Sequence, residues 1–118
     1  MTPQKINLDM IPGKETPVIH ISQKDIGTGR LQFVMKMDGA DYTPSGSVKI
    51  QGTKPGGGTF EHSATRSGQT VTANVTADMT DQSGNVRAQL VFTEGENVTG
   101  TQVFILRVQR AAYDYTAV

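Results

Sequence analysis

Cysteine is absent from these 118 residues, and so is tryptophan; four phenylalanines and three tyrosines are the whole aromatic complement. A chain without thiols has no disulfide, zinc thiolate, iron–sulfur cluster or cysteine nucleophile, so its stability comes from packing alone. The same absence leaves the redox compartment open, because such a chain behaves alike in reducing and oxidising surroundings. An excess of charge is also lacking, since 11 Lys and Arg balance 11 Asp and Glu. Binding a polyanion requires a net basic face that displaces counterions, so the balance argues against nucleic acid. It argues equally against a polybasic membrane contact. No apolar run approaches the ~20 residues that cross a bilayer. Met1 to Lys14 lacks the basic flank, apolar stretch and small-residue cleavage site of a secretory signal. The length suits one domain able to hide roughly 65% of its unfolded surface.

Helical periodicity is missing too, and alternation stands in its place. Leu31, Phe33, Met35 and Met37 fall at every second position of one segment. Successive side chains of a strand point to opposite faces, so these four line a core. Val71, Ala73, Val75 and Ala77 repeat the pattern, as do Val86, Ala88, Leu90 and Phe92. A last run offers Val98, Phe104, Leu106 and Val108 on one face, and Val48-Lys49-Ile50 is a shorter example. Turn formers separate the runs: Asp38-Gly39, Ser45-Gly46, Pro55-Gly56-Gly57-Gly58, Ser67-Gly68, Ser83-Gly84-Asn85 and Glu94-Gly95-Glu96-Asn97. Strands are expected near 4–10, 17–23, 29–38, 46–53, 58–64, 69–79, 85–94 and 98–109, in an all-β sandwich or barrel. The domain is expected to span 1–110. Residues 111–118 carry no further turn signal and are read as a tail or the start of a linker into a downstream domain.

Several segments, in order along nearly the whole chain, resemble the immunoglobulin-like N-terminal domain of phage baseplate upper proteins. That family occurs in tails of phages and prophages of Gram-positive bacteria. The segments are Ile6-Asn7-Leu8-Asp9, the stretch Ser22-Gln23-Lys24-Asp25-Ile26-Gly27-Thr28-Gly29-Arg30-Leu31, and the hairpin Lys54-Pro55-Gly56-Gly57-Gly58. Ser83-Gly84-Asn85-Val86 and Gly100-Thr101-Gln102-Val103-Phe104 complete the set. In the hairpin a glycine, Gly56 or Gly57, stands where the family places an acid. The resemblance implies an immunoglobulin-like β-sandwich of about seven to eight antiparallel strands. It further implies a structural module anchored to the baseplate core, spacing receptor-binding parts in the virion tail after synthesis in the bacterial host cytoplasm. Its partners would be other baseplate proteins and itself, as trimers formed through a downstream region. The stretch from Asp81 to Ala88 is also similar to the corner before a late strand of immunoglobulin domains. Val86 and Ala88 occupy the places of the antibody Tyr and Cys, and the core Trp is missing.

Chemical sites are sparse. His20 and His62 are the sole imidazoles, at no HxH or HxxxH spacing, and Asp25 and Glu61 are their candidate metal-binding companions. A metal needs three or four convergent ligands, so both histidines read as solvent-facing strand residues. Lys54 precedes its glycines and is flanked by strands, whereas a phosphate-cradling loop puts the lysine after them at a helix start. The segment therefore reads as a flexible hairpin tip. Asp78 with Asp81, or Glu94 with Glu96, could flank a calcium ion or a glycosidic bond, but read as turn charges without an oxygen-rich loop. Asn74-Val75-Thr76 and Asn97-Val98-Thr99 match the glycosylation sequon by chance in a chain rich in Asn and Thr. Sugar stacking would fall to Phe60, Tyr42, Tyr113 or Tyr115. No enzyme activity and no cofactor are expected.

One surface signal remains. Val34, Val91, Val103 and Ile105 are apolar exceptions on outward-facing positions of alternating strands. Scattered valines are normal in strands. If these strands share a sheet, the four would merge into a protein interface. The alternatives to a baseplate module are an immunoglobulin-like adhesion or carbohydrate-binding module, and an accessory β-domain of a secreted hydrolase.

Overall fold

The computed structural model describes residues 4–11, 15–22 and 29–109. Ten strands and one helical turn run through them: β1 (Gln4–Asp9), β2 (Val18–Ser22), β3 (Arg30–Met37), β4 (Ala40–Asp41), β5 (Ser47–Thr53), β6 (Thr59–Ser67), β7 (Thr70–Asn74), α1 (Ala77–Thr80), β8 (Gly84–Glu94), β9 (Asn97–Gly100) and β10 (Phe104–Gln109). The all-β expectation holds. The alternating residues go inside: Leu31, Phe33, Met35, Val71, Ala73, Val86, Leu90, Phe104 and Leu106 are each 0% exposed. Their neighbours in sequence face outward because the strand repeat is two.

The strands follow the order β1-β3-β7-β6-β5-β8-β10-β2, with β4 added to β3 and β9 to β8. β6 carries the sheet round a corner. Its first part, Thr59 to Ala64, pairs with β5, and its end, Thr65 to Ser67, pairs with β7. The sheet thereby curls until its halves face each other as two walls. The rings of Phe33 on β3 and Phe104 on β10, far apart in the strand order, meet across the core at a centroid distance of 4.8 Å. Gly52 makes room for a third ring, since a Cβ there would come within 2.5 Å of Phe60.

Two expectations are corrected by the pairing. The strands are not uniformly antiparallel, because β1 runs parallel to β3 and β2 runs parallel to β10. Alternation specifies which face of a strand is buried, but not its neighbour or direction. The number of strands also exceeds seven to eight. The 98–109 run breaks at residues 101–103 into β9 and β10, leaving Val98 67% exposed while Thr101 and Gln102 are buried. The 69–79 run stops at Asn74, and α1 follows. Ala77, expected inside, is exposed, and Met79 is buried instead, four places after buried Val75. Within α1 the adjacent Met79 and Thr80 are the buried residues, so the two-residue alternation ends where the chain leaves the strand.

One seam of the curl is closed by polar groups. Asp9, 8% exposed, ends β1. Its Oδ1 accepts from the amides of Ile11 at 2.8 Å and Asp38 at 3.0 Å, and its Oδ2 accepts from Gly39 at 2.9 Å. Asp38 and Gly39 both have positive φ, 51° and 83°, and form the tight turn between β3 and β4. Such turns leave amides pointing outward, and the carboxylate gathers them. The Asp9 amide donates to Oε1 of Gln102 at 2.9 Å, and the Gln102 amide donates back to the Asp9 carbonyl at 3.0 Å. Gln102 Nε2 also donates to the Glu15 carbonyl ahead of β2. Two buried polar residues thus tie β1, the β3–β4 turn, the β9–β10 crossing and the approach to β2.

Candidate docking surface

The outward positions of the wall β6-β5-β8-β10-β2 form straight rows. Thr59, Thr53, Arg87, Ile105 and Val18 are register neighbours across five strands. Glu61, Gln51 and Gln89 make the next row, and Asn85, Arg107 and His20 the row on the other side. Side chains directly opposite in a ladder stand ~5 Å apart at Cβ, close enough to present one surface. A groove of about 600 Å³ lies on this face, lined among others by Gln51, Thr53, Glu61, Arg87, Gln89 and Val103. Glu61 receives a hydrogen bond from Lys49 at 3.1 Å and another from Gln51 at 2.7 Å. Those two donors hold its carboxyl below the usual glutamate range.

The four apolar residues singled out from sequence divide between the walls. Val91 on β8, Ile105 on β10 and Val103 just before β10 belong to this wall, and all three are half-buried. Val34, on β3, belongs to the opposite wall, between Asn7 and Thr70 in its row. Because Phe33 and Phe104 face each other through the core, outward residues of β3 and β10 point in opposite directions. Val34 therefore joins no patch with the others. The sequence reading missed Val18, which is 48% exposed and sits beside Ile105. Its signal was the register of a parallel pair, which alternation does not carry.

The sequence-level candidates for chemistry resolve into local structure. His62 Nε2 lies 2.7 and 2.8 Å from the two oxygens of Asp78, which also accepts from the Thr76 hydroxyl. Burial alone would raise the Asp78 carboxyl, but the Thr76 and His62 hydrogen bonds together hold it below the usual range. Asp81 pairs with Lys54 at 3.1 Å, so Asp78 and Asp81 have separate partners. Glu61 faces Lys49 and Gln51 rather than His62, and Asp25 lies outside the described residues. Among the described residues no group of three or more His, Asp or Glu comes together. The Lys54–Gly58 hairpin tip is braced: besides the Lys54 pair, the Gly56 amide donates to Gln82 Oε1 at 2.7 Å. Phe60 is buried, Tyr42 packs against the core, and Tyr113 and Tyr115 lie outside the described residues. Glu94 receives the Ser45 hydroxyl.

The architecture is thus an all-β domain, curled from one sheet, whose outward rows rather than a ligand-holding cluster carry its distinctive groups. Among solved structures it shares its fold with the N-terminal domain of phage TP901-1 ORF48, at a TM-score of 0.74 and 14% sequence identity. The match covers 92% of this chain and 99% of that chain. No family model and no curated protein sequence matches the chain.

Proposed function

We propose that this chain is an immunoglobulin-like docking and spacer domain of a phage tail baseplate, joining the baseplate core to receptor-binding parts. The carrying observation is the fold it shares with the N-terminal domain of a phage protein, over nearly the full length of both. The five sequence segments that resemble baseplate upper proteins point the same way. In this reading the chain makes and breaks no bond. It folds rigidly, presents one wall to other baseplate proteins, and sits in the virion tail. The braced hairpin tip and the closed polar seam suit a spacer, since both limit local opening.

The test is to raise antibody against the chain and label phage particles induced from the host that encodes it. Gold label at the distal end of the tail supports the reading. Label elsewhere, or none on intact particles, removes it. A glycan array with the same purified chain addresses the rival carbohydrate-binding module, for which specific retention of a sugar would be the signature.

A further inference from the structure

Three of the four described lysines are paired, and Lys5 bonds no carboxylate among the described residues. Lys36, Lys49 and Lys54 each bond a carboxylate, on Asp41, Glu61 and Asp81. None of the described arginines bonds a carboxylate among the described residues; Arg107 donates to the Asn85 amide oxygen and Arg66 to the Gly46 carbonyl. Arginine has the planar fork that grips a carboxylate at two points, and it holds charge at interfaces more readily than lysine. In a chain of zero net charge, the described arginines, the residues best suited to carboxylates, are left without one among the described residues.

Two of these arginines share a face. Arg87 and Arg107 are exposed on neighbouring rows of β8 and β10, and Ile105 is the direct neighbour of Arg87. Val18 continues the row, and Val103 lines the groove that Arg87 borders. Among the described residues, the rows that hold Arg87 and Arg107 on β8, β10 and β2 contain no acid. Glu61, on the groove's other side, is already engaged by Lys49 and Gln51. An apolar strip beside the Arg87 guanidinium, which bonds no acid among the described residues, is complementary to an extended segment that alternates apolar residues with carboxylates.

We infer that this face binds such an acidic, apolar segment of a partner protein, with Arg87 taking a carboxylate while Val18, Val103 and Ile105 are covered. The inference rests on the docking reading above and names the partner's chemistry. Interfaces favour arginine and deplete lysine at their centres, which fits Lys49 paired to Glu61 beside the groove and Arg87 left open.

The experiment titrates the isotope-labelled full chain with an extended peptide alternating valine and glutamate, and separately with one alternating valine and lysine. The expected result is that amide shifts from the glutamate peptide concentrate at Val18, Arg87, Val103 and Ile105, and weaken with salt. R87E should lower the affinity by about tenfold, and R87K by less, because a point charge replaces a fork. Undisturbed dispersion of the amide spectrum shows that each variant is folded. Equal binding of the lysine peptide, no binding of either, shifts on the Asn7–Val34–Thr70 row, or unchanged affinity in R87E would each overturn the inference. Tail labelling without peptide binding removes this surface and keeps the baseplate reading. Peptide binding without tail labelling does the reverse.

Discussion

Asp9 and Arg87 show two fates of charge in one small fold. The Asp9 carboxylate is buried at the seam and takes three backbone amides, while Arg87 stands on an open face and bonds no acid among the described residues. Charge that is satisfied internally holds the curl shut. Charge left unsatisfied at the surface adds little to stability and remains available to a partner. The contrast separates residues that maintain the fold from residues that give it something to do, and each side of it can be tested.

The largest effect is expected at the seam. Asp9→Ala leaves three amides without their acceptor and should cost about 3 kcal/mol or more in urea unfolding, since hydrogen bonds to charged groups contribute ~1.5–3 kcal/mol each and do not add fully. A loss below about 1 kcal/mol would mean water replaces the carboxylate and the seam is not a latch. Gln102→Ala removes the side-chain acceptor of the Asp9 amide and the link to Glu15, while the backbone bond to the Asp9 carbonyl stays, with an expected loss of about 2 kcal/mol by the same measurement.

A smaller effect belongs to the His62–Asp78 pair, intermediate between the two extremes because it is partly exposed. The folded-state carboxyl of Asp78 lies below its ordinary value, so its contribution is present above the unfolded pKa and is lost as pH falls through the folded one. Unfolding of the native chain should therefore steepen below about pH 4. In Asp78→Asn that portion of the acid sensitivity should disappear, by less than ~1 kcal/mol given the exposure of both partners. An unchanged acid profile in the variant would show that the pair contributes nothing measurable. The smallest stability effect is expected for Arg87→Ala, within about 0.5 kcal/mol of the native chain, as for a surface residue outside any network. A loss well beyond that would place Arg87 among the residues that maintain the fold and erase the contrast with Asp9.

Much of the interior was legible in advance, and the reason is local. Leu31, Phe33 and Met35, or Val86, Ala88 and Leu90, declare their face through the two-residue repeat, and the turn formers between runs set most strand ends. Three places were not legible. At Ala77–Thr80 a helical turn replaces the strand, so Met79 rather than Ala77 fills the core. At Thr101–Val103 the chain crosses between strands, and buried Thr101 and Gln102 replace the expected strand. Asp9 was visible only as part of a motif. Its bond to Ile11, two residues on, follows a local pattern common to aspartate, but the amides of Asp38 and Gly39 lie about thirty residues away. The candidate docking surface was half legible: Val91, Val103 and Ile105 stood out as apolar exceptions, whereas Val18 joined them and Val34 left them only through strand placement.

The order of residues by itself determined that the chain is built from strands, which side chains fill its interior, and that thiol chemistry is closed to it. These depend on neighbours a few positions apart, where backbone sterics and side-chain direction leave little choice. Only the tertiary structure decided that β1 and β2 join parallel partners, that Asp9 and Gln102 close the seam, and that Arg87 stands beside Ile105 and Val18. Those facts depend on contacts between distant segments, and a strand's pattern states which face is buried without naming the strand beside it.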